Sequence, residues 1–310
     1  MKAAILAHHQ TCQSMQPINS ILVPVDFSDV SANAFRYALR LADHLDASID
    51  LLYVLPDTDG SLLSITLSVQ LVDIGKEKLM GFFSKGMTAV SSQLEHVPAV
   101  RSHVRKGHLR SVILQQVEAE GNDLVVMGTR GGDRGQVNNI FGSNTSLLVN
   151  KAPCPVLVVP EGFTFQPLRS ICYATDLTHI DVFHAGHLLK ALRVFKPRLD
   201  FVHVKTGKTK KTTFNMDLLR EVFDQPATGI DTRFHVLEDE DVAEEIFDYA
   251  KAISADLVVM HRPRHGWLNR LFMKSNTREA VLEATVPLLI MPQETAEDRQ
   301  KEAAFTTHET

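Results

Sequence analysis

Ile21-Leu22-Val23-Pro24-Val25-Asp26-Phe27-Ser28 returns 150 residues later as Ile171-Cys172-Tyr173-Ala174-Thr175-Asp176-Leu177-Thr178. At the same offset, Asp50-Leu51-Leu52-Tyr53-Val54 returns as Asp200-Phe201-Val202-His203-Val204. Asp123-Leu124-Val125-Val126-Met127 recurs letter for letter as Asp256-Leu257-Val258-Val259-Met260. The run Ala152-Pro153-Cys154-Pro155-Val156-Leu157-Val158-Val159-Pro160 matches Ala284-Thr285-Val286-Pro287-Leu288-Leu289-Ile290-Met291-Pro292. Four anchors in one order identify a tandem duplication, the second copy being about 17 residues shorter in its middle.

Within each copy, short apolar runs alternate with longer amphipathic stretches. In the first copy, strands are predicted at 20–26, 48–54, 99–105, 123–127 and 155–159. Residues 32–45 place Ala32, Phe35, Ala38, Leu39 and Ala42 on one helical face, with Ser28 or Ser31 as the cap. Residues 62–94 read as a long helical region with Gly81 and Gly86 as candidate breaks, 111–119 as a third helix and 144–149 as part of a fourth. The strands are continuously apolar, as expected when helices cover both faces of a parallel sheet. The fold class is therefore α/β: two tandem doubly wound, Rossmann-like domains. The expected organisation is an extension at 1–18, a first domain at 19–160, a linker at 161–168, a second domain at 169–292 and a polar tail at 293–310.

Of the 310 residues, 44% are hydrophobic and 22% charged, which excludes disordered and collagenous classes. Lys and Arg total 32 against 37 Asp and Glu, a formal net charge of −5, and the chain has no basic footprint for nucleic acid. Three scattered cysteines, Cys12, Cys154 and Cys172, fit a reducing compartment. The opening apolar run, Ala3 to Ala7, is too short for a signal peptide and no stretch is long enough for a membrane span, so a cytoplasmic location is expected.

In doubly wound sheets, ligands bind beyond the carboxyl ends of the strands at the topological switch point. Asp26 ends the first strand there. Gly128, Thr129, Arg130, Gly131 and Gly132 follow the fourth, and Gly142-Ser143-Asn144-Thr145 opens the next helix. Glycines let backbone N–H groups approach phosphate oxygens, and a helix start adds unpaired donors. Asp26 is suited to a ribose hydroxyl or an adenine amino group. The competing reading makes the glycines ordinary turn residues and Asp26 or Ser143 a helix cap. The chain has neither a Walker A loop nor a GxGxxG fingerprint.

The second copy differs at both landmarks: His261 stands for Gly128 and Lys274 for Gly142, while Asp176 persists. Its loop carries a basic cluster, Arg262, Arg264, His265, Arg270 and Lys274, with a different anion as one use and a solvated loop as the other. His103 and His235 occupy matching places in the third strands, a structural role being the plainer account. No catalytic or metal constellation is recognised, and a weak ATPase is the most that enzymatic reading allows.

At ILVPVDFS (21–28), DLLYV (50–54), DLVVMGTRG (123–131), FGSNT (141–145) and APCPVLVVP (152–160), the sequence resembles the universal stress protein family. The resemblance implies five-stranded parallel sheets and a nucleotide pattern of Gly, two residues, Gly, nine residues, then Gly and Ser or Thr. Gly128 and Gly131 match its opening and Gly142-Ser143 its close, but ten residues separate Gly131 from Gly142, so Gly132 is the alternative second glycine. By the same resemblance Asp26 holds the adenosine moiety with Val25 beside it, Met127 and Gly128 lie near base and ribose, and Ser143, Asn144 and Thr145 meet the phosphates.

It further implies ATP as the ligand, with or without Mg, and pairing of Val156–Val159 with Leu288–Met291 inside one chain. The function expected is a stress-response protein that senses or regulates through nucleotide occupancy, with a homo-oligomer and protein partners as its company. The alternatives are an interaction module that binds no nucleotide and a slow metal-dependent hydrolase.

Overall fold

The computed structural model describes residues 17–56, 62–129, 148–149, 151–177, 179–207, 216–223, 231–262 and 286–292. These fall into two compact units, one built from the described residues of 18–166 and 286–292, the other from those of 167–262.

The first unit runs β1 (Ser20–Val25), α1 (Asp29–Leu45), β2 (Ser48–Leu55), α2 (Leu62–Val90), β3 (Val100–Lys106), α3 (Leu109–Glu120), β4 (Leu124–Thr129) and β5 (Val156–Pro160). Its parallel strands lie in the order β3-β2-β1-β4-β5, so the sheet switches direction of winding between β1 and β4. Every strand residue from Ile21 to Val25 is buried, as the unbroken apolar runs predicted.

A further strand, here β10 (Leu288–Met291), runs antiparallel to β5, with Leu288 opposite Val158, Leu289 opposite Leu157 and Ile290 opposite Val156. This is the pairing expected of the two terminal strands, and it covers an edge that β5 would otherwise expose.

The second unit repeats the plan with β6 (Ser170–Ala174), α4 (His179–Ala191), β7 (Arg198–Lys205), α5 (Met216–Phe223), β8 (Thr232–Glu238), α6 (Val242–Ala252) and β9 (Leu257–His261). Its parallel order is β9-β6-β7-β8, matching β4-β1-β2-β3.

Two aspartates in the repeated anchors owe their recurrence to backbone satisfaction. Asp123 accepts hydrogen bonds from the N–H groups of Asn19 and Ser20 at 2.9 and 3.1 Å, pinning the start of β1. Asp256 does the same for Arg169 and Ser170 at 2.7 and 2.9 Å. Backbone donors at the half-buried start of a strand are costly to leave unpaired, so the carboxylate stands in as their partner.

Asp50 is fully buried near the start of β2. Its carboxylate takes a two-pronged bond from Arg101 (Nε and Nη2, both 2.9 Å), a contact from His103 Nε2 at 2.8 Å and a bond from Asn122 at 2.8 Å. Burial acts to raise its pKa, but these partners more than offset that and hold it below the usual carboxylate value.

The duplicate, Asp200, is also buried but draws its cation from elsewhere. Arg198, two residues earlier on β7, donates at 2.7 Å, Tyr249 of α6 donates at 3.2 Å, and His235 lies at 3.4 Å. The matching histidines His103 and His235 are thus partners of buried carboxylates, away from the C-terminal strand ends.

α1 begins at Asp29 because Ser28 caps it, its Oγ accepting the Ser31 N–H at 3.2 Å. Burying Phe35 and Leu39 of this helix stabilises by about 1.5–3 kcal/mol each. The segment after β5 is fixed to the same helix. Asn33 donates to the carbonyls of Pro160 and Phe163, both at 3.1 Å, and the buried Phe165 ring packs on Tyr37 with the Arg40 guanidinium 5.2 Å from its centroid. The stretch expected as a linker is therefore docked along residues 161–166.

The long helical region is not interrupted at either glycine: α2 continues from Leu62 to Val90. Gly86 is required for close approach, since a Cβ there would lie 2.5 Å from the Phe35 ring; a Cβ at Gly81 would meet nothing within 4 Å. Alanine at either site gains about 0.8–1.0 kcal/mol of helix propensity. At Gly86, overpacking of about 1–3 kcal/mol opposes it. Urea titrations followed by circular dichroism should therefore show a higher midpoint for Gly81→Ala and a lower one for Gly86→Ala; equal shifts would contradict the packing account.

Candidate functional site

The switch point between β1 and β4 brings together the carboxyl ends of two strands whose residues the sequence singled out. Val25 is buried at the end of β1, and Asp26 emerges exposed just beyond it. The chain then turns sharply: Phe27 has φ +67°, a left-handed conformation rare for a bulky side chain. Packing sustains it, the Phe27 ring lying 4.4 Å from Tyr53 and 5.7 Å from Phe82 between centroids.

This turn sets the state of Asp26. Its Oδ1 accepts from the Ser28 N–H at 3.0 Å and from the Ser28 hydroxyl at 2.6 Å, an Asx turn that leads into α1. Partial burial acts to raise the carboxyl pKa, and the Ser28 bonds outweigh it, so the group titrates below its usual value and is ionised at neutral pH. Ser28, not Asp26, caps the helix. An ionised carboxylate retains further acceptor capacity for a hydroxyl or amino donor.

On β4, Met127 is buried and Gly128 follows it. A Cβ at Gly128 would lie 2.5 Å from the Val30 carbonyl oxygen and 2.6 Å from its Cγ1. The glycine therefore lets β4 approach the first turn of α1. Val25, Asp26, Met127 and Gly128 are thus gathered at one strand boundary. Gly131, Gly132, Gly142, Ser143, Asn144 and Thr145 lie outside the described residues, as do most of the basic cluster of the second copy. Among the described residues, no group of three or more His, Cys, Asp or Glu side chains is placed to hold a metal ion.

The second unit keeps the turn and changes the floor. Leu177 repeats the left-handed conformation at φ +57°, and Thr175 Oγ1 accepts the Leu177 N–H at 2.9 Å. His261 stands at the end of β9 where β4 has glycine. Its Nε2 lies 2.6 Å from the Tyr173 hydroxyl and its Nδ1 lies 3.1 Å from His184 Nδ1, with the two imidazoles stacked at 4.6 Å.

Together with Thr175, Asp176, Val202 and Met260, the His261 ring lines a small crevice that is otherwise largely apolar. Loss of hydration pushes the His261 pKa down to about 4, so the ring is neutral at pH 7. No sequence motif announced this Tyr173–His261–His184 arrangement; the His-for-Gly replacement was its one visible trace. Cys154 and Cys172 are buried, and burial raises the Cys172 thiol to about 12, which leaves it unreactive as a nucleophile.

The imidazole is a stability determinant with a definite sign. Its pKa is lower folded than the unfolded value of about 6.5, so unfolding takes up a proton. The stabilisation is whole above about 6.5 and is lost as pH falls toward about 4. Denaturant midpoints at pH 7 and pH 5 should differ more for the wild type than for His261→Gln; the same difference in both would show that this ring does not titrate on unfolding.

The profile described as the Universal stress protein family matches residues 17–160 and again residues 172–292. A universal stress protein of Methanocaldococcus jannaschii is 30% identical over 150 residues, 46% of this chain and 81% of that protein. Universal stress protein G of Shigella flexneri is 33% identical over 145 residues, 45% of this chain and 97% of that protein. Among solved structures, a universal stress protein from Archaeoglobus fulgidus aligns with a TM-score of 0.66 and 18% identity, over 89% of this chain and 99% of that one. Among the described residues, no helix is long and apolar enough to cross a membrane.

Proposed function

Since the chain belongs to the universal stress protein family, matched twice along its length, we propose that it binds ATP or a related adenine nucleotide at one site, in its first copy, and acts as a nucleotide-dependent sensor or regulator. The observation that carries this reading is the pairing, at the β1/β4 switch point, of an exposed ionised Asp26 with side-chain-free backbone at Gly128.

In this reading Asp26 Oδ2 accepts from the ribose or adenine, with Val25, Met127 and Gly128 forming the floor beneath base and sugar. The phosphates fall to Gly131 or Gly132, Gly142, Ser143, Asn144 and Thr145, whose backbone and hydroxyl donors suit an anion. Mg would accompany the phosphates, and no chemistry is assigned to it. The imidazole of His261 blocks the equivalent floor in the second copy, since it is already committed to Tyr173 and His184.

A second reading has one observation in its favour. The contact between Gly128 and Val30 accounts for that glycine through packing alone, as in a module that binds no nucleotide. The two readings differ at Asp26, which is exposed and contributes little to the core.

The deciding experiment combines mass spectrometry of small molecules released from the denatured full chain with calorimetric titration of ATP. One adenine nucleotide per chain is expected. A lost hydrogen bond to a charged group is worth about 1.5–3 kcal/mol, so Asp26→Ala should weaken ATP roughly 10- to 100-fold. Asp176→Ala should leave it unchanged. No heat and no released nucleotide from the wild type would favour the packing module.

A further inference from the structure

One face of α1 meets the candidate site at its start and a docked chain segment along the rest of its length. Val30, Asn33, Tyr37, Arg40 and His44 are spaced three or four residues apart and form a single stripe. Val30 is the residue against which Gly128 packs. The other four hold residues 160–165, which end β5 and lead toward β6.

The hold is specific. Asn33 commits its side-chain amide to it, donating to the carbonyls of Pro160 and Phe163. Arg40 Nη1 donates to the Phe165 carbonyl at 3.3 Å. The buried Phe165 ring lies 5.0 Å from Tyr37 and 5.3 Å from His44 between centroids. The segment also makes its own turn, with the Phe163 N–H donating to the Pro160 carbonyl at 3.1 Å and Gly162 at φ +77°. The Glu161 N–H donates to the Thr129 carbonyl at 2.8 Å, one residue beyond Gly128 on β4.

Segments that join compact units are ordinarily exposed and loosely held. This one is fastened to both elements of the candidate site: to β4 beside Gly128, and to α1 on the face that carries Val30. A ligand seated between Asp26 and Gly128 bears on the same two elements. Whatever favours one arrangement of α1 against β4 favours the clasp that spans them, and such coupling acts equally in both directions.

We infer that residues 160–165 form a strap whose docking on α1 is linked to nucleotide occupancy of the first copy, so that ligand tightens strap and strap tightens ligand. This linkage rests on the nucleotide reading of the first copy and adds how occupancy is reported, through the segment that runs on into the second copy. Asn33 is a positioning residue in it, acting through the strap and not on the ligand.

Hydrogen exchange of the full chain, read by mass spectrometry on peptides covering 160–165, tests one direction of the linkage. Saturating ATP should slow exchange of the Glu161 and Phe163 amides at least about fivefold, while calorimetry on the same sample reports whether ATP binds. Two variants that loosen the strap from opposite sides, Asn33→Ala and Phe165→Ala, test the other direction. Each should bind ATP roughly 5- to 150-fold more weakly and lose the ATP-dependent protection. Circular dichroism melts establish that a variant is folded before it is scored, either variant suffices, and the wild-type exchange needs neither. If ATP binds the wild type without slowing exchange, or binds a folded variant as tightly as the wild type, the linkage is overturned and the nucleotide reading stands. If calorimetry detects no ATP binding to the wild type, the nucleotide reading fails and the linkage falls with it.

Discussion

A carboxylate buried inside a parallel sheet must be neutralised in place, and Asp50 shows how much structure that requires. Its partners come from β3 through Arg101 and His103 and from the turn before β4 through Asn122, so one charge ties the register of several strands to a single point. Removing any partner would leave a buried charge short of compensation, a far larger penalty than the net worth of the bond. The second copy faces the same requirement at Asp200 and meets it with Arg198 and Tyr249. The constraint was kept through duplication while the residues that satisfy it changed, which is what a requirement on charge, rather than on identity, permits.

This division of labour along each strand separates stability from chemistry. The buried carboxylates sit toward the starts of β2 and β7, and the switch points lie at the far ends of β1 and β6. With the sheet fixed at one end, the loops at the other are free to differ. Gly128 and His261 illustrate the range: one residue lets α1 close onto β4, the other fills its position with an imidazole held by Tyr173 and His184. The same strand order thus carries two unlike strand ends at its switch points, glycine in one copy and a held imidazole in the other.

The duplication, the strand and helix rhythm and the place of the switch point were all legible in the amino-acid order. They depend on local and periodic properties: unbroken apolar runs such as Ile21–Val25, amphipathic spacing in α1, and Asp residues repeated at matched positions. The place of Asp26 was legible for the same reason, since it follows a strand directly. Other assignments needed packing. Gly86 reads as a helix breaker until the Phe35 ring is found against it, because a glycine is identical in sequence whether it breaks a helix or admits a neighbour. The left-handed turn at Phe27 was equally hidden: its support is the rings of Tyr53 and Phe82, distant in the chain.

By itself, then, the sequence determined that the chain is a doubled α/β sheet and which residues stand at its strand ends, because those follow from periodicity and from the repeat. Only the tertiary structure decided which charges are partners, which glycines are contacts and how His261 is held. Each of those depends on what a side chain meets across the sheet, and that distance is not written along the chain.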